Sequence, residues 1–521
     1  MRSLLPRLAL AAASGAGMAL VCPPIGLRHL LWVVFVPMLL ALRPDDHRRN
    51  MWVGYTAGWV MLFVNFFWLS DTVSTFSSIP TPVAGLIVAL FATVFGLPYL
   101  IAFGLARWLR QRLGLWWLVA FPALQVAHET LAPALFPYAL GATLYRDPHV
   151  WQVASVFGAS SLTALALATN ALVAELVWRR QEGKAVPIAP SLAVVAAVGL
   201  AFGFGAWRRG QVEAILEEAP TIRVAMLQQD STMEQRLKES VWKALSDWVK
   251  VTRSIEDQEP DLVVWPEGAV LFNPDDEREF RALGGRSPKE FFGRMVERGG
   301  YDFLIGGGTI TLHDTTTADG RQDYTAYNSC YTFNRDGSIG GRYDKIVPLP
   351  FGEYLPGAET FPFLRDLIQG PGNFRAGKEV VHFEASSRDG SVTFDYTSPI
   401  CYEAILAGLM FQMSDTDLFV NITNDSWFGD TAGPHQHAML TAVRSMELGR
   451  PMLRLAYTGV SFVVEPHGAI LYETEPFVKV ATVEELRLGK VETIYRRGGW
   501  FFSWLVSLLG FAALGIAYRR A

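Results

Sequence analysis

Seven long hydrophobic stretches follow one another through the first 206 residues, and an eighth closes the chain at about 500–518. The seven lie at about 4–22, 25–42, 51–69, 83–106, 115–132, 159–178 and 187–206. Each is near the ~17–25 apolar residues that a helix needs to cross a bilayer. The weakest, 115–132, carries His128 and Glu129 near one end. The first has the look of a signal peptide, but spans keep following and no convincing cleavage site closes it. The expectation is a multispan α-helical membrane domain of about eight spans.

Basic residues in the short loops orient such spans. With the N-terminus inside, the inner segments hold Arg2; Arg43, Arg48 and Arg49; Arg107, Arg110 and Arg112; Arg179, Arg180 and Lys184; and Arg519 and Arg520. The opposite loops hold only Arg146. Arg208, Arg209, Arg496 and Arg497 flank the large outer segment and run against the rule, which long translocated domains obey poorly. Both termini are therefore expected inside and residues 221–490 outside. The division is 1–206 with seven transmembrane helices, 221–490 as a catalytic domain, and 500–518 as a C-terminal transmembrane helix. A net charge of −5 without a basic stripe excludes a nucleic-acid partner.

Residues 221–490 alternate short β-branched runs with helical segments. Strands are expected at 222–228, 261–267, 301–310, 326–334, 339–347, 392–403, 417–425, 452–457, 461–466 and 469–474. Helices are expected near 233–252, 288–299, after 403, and near 436–449. Interleaving of this kind predicts an α/β domain with covered sheets and its chemistry at strand ends. The three cysteines, Cys22, Cys330 and Cys401, offer no disulfide framework. Cys330, in an alternating stretch, reads as a small buried residue.

Three strand ends carry reactive groups: "WPEGA" with Glu267, "YDKIVPLPFGEYLPG" with Lys345 and Glu353, and "SPICYEA" with Cys401. A carboxylate, an ammonium and a thiol together support acyl transfer. A thiol of ordinary pKa is only about 3% thiolate at neutral pH, so it needs a base. Glu267 can take its proton, and Lys345 with the N–H after Cys401 can hold an oxyanion. Read singly, each has a plainer role: Glu267 as a helix N-terminal acid, Lys345 as a solvated charge, Glu353 as a surface ion-pair partner, Cys401 as core. His435 and His437 in "GPHQHAM" lack further ligands at metal spacing. A Cys401–His435–Asn424 arrangement leaves Glu267 and Lys345 without work.

The ordered set "WPE…YDK.VP.PFGEYLP…PICYE" resembles the nitrilase (carbon–nitrogen hydrolase) superfamily. With its spans, the whole chain resembles the apolipoprotein N-acyltransferase family. That resemblance implies a nitrilase-like α/β (αββα sandwich) domain outside the inner membrane of a bacterium, facing the periplasm. It implies Glu267 as general base, Lys345 as oxyanion stabiliser, Cys401 as nucleophile and Glu353 as support for Lys345. Tyr402, Glu403, Trp427, Phe351 and Tyr354 become candidate substrate-binding or gating residues. The implied partners are a phospholipid acyl donor and the N-terminus of a diacylated lipoprotein, with no cofactor and no metal, on a monomer. "TNDSWFGD" (423–430) matches the family's loop bordering the site. "QQDSTMEQRLK" (228–238) departs from the family's Gln-x-Asn-Ile-Pro pattern and lacks its tryptophan. The Gly/Pro-hinged loop 348–374, with Phe361, Phe363 and Leu364, is expected to act as a lid. The competing readings are a membrane-tethered amidase and a transporter or receptor with a binding-only domain.

Overall fold

The structure is a computed structural model. It describes all of the 521 residues except 1–3, 78, 232–234, 236–239, 271, 275, 283, 286, 317–321, 362, 364–371 and 521. Leu364 and most of the 228–238 departure therefore lie outside the described residues.

Each hydrophobic stretch is helical, but not each is one helix. Ala159–Gln181, Ile188–Glu217 and Tyr495–Arg519 are long and apolar enough to cross a membrane, and the pair His47–Asn65 and Leu69–Thr75, bent by 50°, makes a fourth. Leu5–Val21, Arg28–Ala41 and Thr81–Phe95 are shorter apolar helices. The stretch 83–106, expected as one span, breaks into Thr81–Phe95, Tyr99–Ala102 and Ala106–Leu113. Pro98 lies at the first break and has no N–H to continue the ladder. Gly104 lies at the second, where the chain runs against the helix His47–Asn65. A Cβ on Gly54 would meet Gly104 N at 2.4 Å, so only paired glycines permit this approach.

Polar contacts tie the basic segments to one another. Arg7 bonds Asp46 at 2.6 Å, Gln111 reaches Asp45 at 3.3 Å, Arg110 bonds Glu182 at 2.7 Å, and Arg112 holds the Arg520 carbonyl at 2.5 Å. Five segments scattered from residue 7 to residue 520 thus gather at one end of the helical bundle.

The segment 221–490 forms two six-stranded sheets. The strands are β1 Thr221–Gln228, β2 Leu262–Trp265, β3 Asp302–Thr316, β4 Gln322–Phe333, β5 Ile339–Asp344 and β6 Phe383–Ser386. They continue as β7 Thr393–Thr397, β8 Leu418–Thr423, β9 Met452–Ala456, β10 Phe462–Val464, β11 Ile470–Glu473 and β12 Val480–Arg487. The sheet orders are β12-β1-β2-β3-β4-β5 and β11-β10-β9-β8-β7-β6. In each, three central strands run parallel: β1–β2–β3 in one and β7–β8–β9 in the other. Along β1 the side chains alternate. Val224 and Met226 join the core shared with Leu418, Val420 and Leu455 of the second sheet, whereas Ala225 and Leu227 join Trp248, Phe292 and Val296 of the outer helices. A period of two with both faces apolar makes a sandwich with helices outside. β6 and β12 are additions to the expected strands. Both are edge strands with mixed burial, which hides them from a hydrophobic pattern.

The helix Ala432–Leu448 is buried on nearly every side. One face covers the second sheet and the other meets the helical bundle, so no stripe faces solvent. The two halves are joined by polar contacts. Trp68 donates to Gln436 at 3.1 Å, Gln152 donates to His467 O at 2.8 Å, the Ala159 N–H donates to Glu447 at 2.9 Å, and Arg146 pairs with Glu473 at 2.5 Å.

Candidate active site

Glu267, Lys345 and Cys401 each sit just past a strand. Pro266 ends β2 by removing a ladder donor, and Glu267 follows. β3 passes beneath as glycine; a Cβ on Gly306 would lie 2.7 Å from Glu267 Cα. Lys345 follows β5, its N–H on Asn328 O at 2.8 Å and its carbonyl taking Gly377 N–H at 2.7 Å. Cys401 opens a tight helical turn, Cys401–Ile405, after Ile400 bridges Ile422 of β8. Its φ of +53° is unusual for a residue with a Cβ.

The side chains converge in a nearly dry site. Lys345 Nζ lies 2.7 Å from Glu353 Oε2 and 3.7 Å from Glu267 Oε1. Asn328 Nδ2 donates to Glu267 Oε1 at 2.6 Å and to Glu353 Oε1 at 2.5 Å. The Asn424 N–H binds Glu267 Oε2 at 2.7 Å, and the Leu349 N–H binds Glu353 Oε2 at 2.6 Å. One ammonium is therefore shared by two carboxylates that a neutral amide also links.

Burial pushes the Glu267 carboxyl up, and Lys345 opposes it. Burial disfavours the Lys345 ammonium, but Glu353 and Glu267 outweigh it and hold the group above its usual range. Burial also pushes the Cys401 thiol up and Glu267 adds to this, with Lys345 opposing. At neutral pH these directions favour a thiol beside an ammonium.

Two family models cover most of the chain. The apolipoprotein N-acyltransferase N-terminal domain matches residues 14–172, and carbon–nitrogen hydrolase matches 223–495. An apolipoprotein N-acyltransferase of Bradyrhizobium diazoefficiens is 30% identical over 80% of this chain and 76% of its own length. The chain belongs to the apolipoprotein N-acyltransferase family. The family member of Geobacter metallireducens is 28% identical over 98% of this chain and 95% of its own length. Among solved structures, an amidase from Nesterenkonia sp. is 14% identical over 53% of this chain and 92% of its own, with a TM-score of 0.36.

In this apolipoprotein N-acyltransferase family member the other expected site residues separate into distinct places. Tyr402 is buried, with its hydroxyl on Leu135 O at 2.6 Å and its ring edge-on to Phe136, so it joins the site to the helical bundle. Phe351 and Tyr354 remain exposed on the turn that carries Glu353, where the Phe351 N–H binds Tyr354 O at 2.8 Å. Phe361 and Phe363 are exposed, and Trp427 is partly buried. Glu403, expected to bind or gate substrate, is instead fully enclosed. It accepts from Tyr343 OH at 2.9 Å and from the N–H groups of Ile346 at 2.6 Å, Val347 at 3.0 Å and Ile400 at 2.8 Å. Its carboxylate links the segment after Lys345 to the residue before Cys401, and burial pushes it up to about 7.

Asn328 escaped the sequence reading. The signal was its place in "AYNSCYTF", where a polar amide alternates into a β4 face otherwise set toward the core. Asn424, considered beside His435, instead uses its side chain to accept from Ser426. All three cysteines are free thiols, and burial pushes Cys330 up to about 12. Among the described residues Glu213, Glu465 and His467 are grouped closely enough to hold a metal. Arg487 already bridges the two carboxylates at 2.9 and 2.5 Å, so a guanidinium fills the cation's place.

Proposed function

We propose that the chain transfers an acyl group from a phospholipid to the N-terminal α-amine of an S-diacylglyceryl-cysteine, completing a triacylated lipoprotein. The observation that carries this reading is the bond from Tyr402, next to Cys401, to Leu135 of the helical bundle. A site against the bundle reaches lipid without extracting it. Beside it a mostly apolar cavity of about 210 Å³ lies among Phe66, Phe91, Phe95 and Phe136, with His128 and Glu129 on its wall, and has room for part of a hydrocarbon chain.

In the first half-reaction the Cys401 S–H proton passes to Glu267, and sulfur attacks the ester carbonyl of the phospholipid. Lys345 and the Tyr402 N–H hold the oxyanion, each such donor contributing about 10²–10³-fold. The lysophospholipid alkoxide leaves with the proton from Glu267, and an acyl thioester remains on Cys401. In the second, the free amine attacks the thioester, Glu267 takes one amine proton, and the departing thiolate regains it. This is ping-pong chemistry, and it needs water kept from the thioester. Glu353 fixes Lys345 throughout, and Tyr354 and Phe351 border the approach.

Eight segments span the inner membrane in this reading: seven within 1–206 and one at 500–518, with the catalytic domain, 221–490, on the periplasmic side. The joined segments around Arg7, Asp46, Arg110, Glu182 and Arg520 support a common cytoplasmic face that holds both termini.

Mass spectrometry after exposure to phospholipid tests the reading. An acyl mass on Cys401 is expected, removed by a diacylated peptide with a free α-amine. Absence of the adduct under every lipid condition, with Cys401→Ala equal to wild type, would overturn it. An adduct released by water as fast as by the peptide amine would favour a membrane-tethered amidase.

A further inference from the structure

The loop "TNDSWFGD" and the helix after it bring into the core two titratable side chains that acyl transfer does not use: Asp425 and His437. Arg454 of β9 joins them. Arg454 and Asp425 are fully buried and His437 nearly so. Arg454 donates Nη2 to Asp425 Oδ2 at 2.7 Å, Nη1 to Asn421 Oδ1 at 2.7 Å and to Thr441 Oγ1 at 3.2 Å, and Nε to Val460 O at 3.2 Å. Asp425 Oδ1 also meets His437 Nδ1 at 2.9 Å and takes Thr423 Oγ1–H at 3.1 Å. A buried ion survives only when paired and saturated in this way. Burial pushes the Asp425 carboxyl up, yet Arg454 and His437 outweigh it and hold it below its usual range. Burial and Arg454 hold His437 below its usual range, and its Nδ1 lies within hydrogen-bond distance of both Asp425 Oδ1, at 2.9 Å, and Arg454 Nη2, at 3.1 Å.

The network touches the supports of both reacting groups. Asn421 Nδ2 donates to Pro399 O at 2.9 Å, two residues before Cys401. Asn424, adjacent to Asp425, gives its N–H to Glu267. His437 also reaches the Cys401 main chain, while its Nε2 is buried without a well-formed partner. Cys401 itself holds φ +53°, a left-handed conformation that persists in a residue with a Cβ only where the surroundings enforce it.

We propose that Asp425, His437 and Arg454 form a positioning network, which clamps the Cys401 turn and the N–H on Glu267 in one register so that thiol and base meet the same carbonyl. The inference rests on the roles given above to Cys401 and Glu267. A displacement of about 1 Å at such a site costs on the order of 10²-fold.

The test uses the full-length protein in detergent or nanodiscs. His437→Ala and the charge-free pair Asp425→Asn/Arg454→Met are compared with His437→Asn, which keeps a donor toward Asp425. Arg450→Met is the control, because Arg450 is equally buried but bonds Thr416 O, Gly449 O and Val491 O, away from the site. Two readouts are taken beside Tm: the kcat and KM of acyl transfer, and the pH profile of Cys401 alkylation by iodoacetamide. Expected are a kcat loss of about 10²-fold at nearly constant KM, an altered alkylation profile, and partial rescue in His437→Asn. Arg450→Met is expected to lower Tm with a wild-type profile. Wild-type profiles in the network variants, or losses that follow Tm just as in Arg450→Met, would overturn the proposal. Alkylation needs no lipid, so wild-type protein that never forms a thioester would fail the acyl-transfer reading while the network is still tested.

Discussion

The helical half and the sheet half bury opposite things. In the helices Leu86, Leu90, Leu192, Val195 and Leu508 point outward, while Arg7, Asn50, Asn170 and Glu175 are inside. In the sheets the inward residues are Ile222, Val224, Leu262, Leu418 and Val420, and charge enters the core in paired groups such as Asp425 with Arg454. The difference shows which medium each half is built for. Apolar side chains facing outward along Ile188–Glu217 have no reason to be there unless hydrocarbon surrounds them. Among the helices, Arg7 pairs with Asp46 and Asn50, and Glu175 with Arg110, Arg179 and Trp117, because the lipid offers no partners.

The largest expected effect is in the sheet half. Lys345→Met removes the oxyanion donor proposed above and leaves Glu267 and Glu353 facing each other without a cation. A kcat loss of at least 10²–10³-fold and a stability loss of about 3–5 kcal/mol are expected from steady-state assays and thermal melts. Wild-type stability would mean that the buried carboxylates do not depend on the ammonium.

A matched pair of charges tests the contrast itself. Val195 and Leu471 are both exposed, at 64% and 45%. Val195→Lys places a charge near the centre of a span and is expected to cost about 2.5–3.5 kcal/mol of insertion. Leu471→Lys, on β11, is expected within about 0.5 kcal/mol of wild type. Glycosylation-site insertion assays and melts in nanodiscs compare the two; equal tolerance would break the distinction between the halves.

A smaller effect separates the charges around Cys401. Burial and Glu267 push the thiol up and Lys345 opposes them. Glu267→Gln removes an anion, so the thiolate forms at lower pH and the alkylation profile shifts downward. Lys345→Met shifts it upward by the same logic. Shifts in the opposite directions would show that other groups control the thiol.

The smallest effect is expected at the outer loop. Phe361 and Phe363 are exposed rings 6.2 Å apart. Replacing both by Ser leaves Tm unchanged, within about 0.5 kcal/mol, while KM for phospholipid rises several-fold. An unchanged KM would remove the lid from this loop.

Much of this was legible because local rules wrote it. Glu267, Lys345 and Cys401 stood at the ends of apolar runs, beside prolines and glycines that stop strands, and the runs themselves showed ten of the twelve strands. β6 and β12 were not legible, since an edge strand needs no continuous apolar pattern and "VATVEELR" reads as a charged surface. The breaks in the stretch 83–106 were marked by Pro98 and Gly104, yet the run of apolar residues outweighed them. Glu403 followed the cysteine and so looked like a substrate contact; its four donors come from Tyr343, Ile346, Val347 and Ile400, three of them more than fifty residues away in the chain.

As a linear pattern the chain already displays which medium each segment prefers and which reactive side chains stand at strand ends. Periodicity, turn residues and side-chain chemistry are local, and a single chain displays them directly. Folding alone places Lys345 between Glu267 and Glu353, joins those carboxylates through Asn328, and pairs Arg454 with Asp425. A buried polar group is stable only with the right partner at hydrogen-bond distance, and the fold brings those partners together from sequence positions that share no pattern.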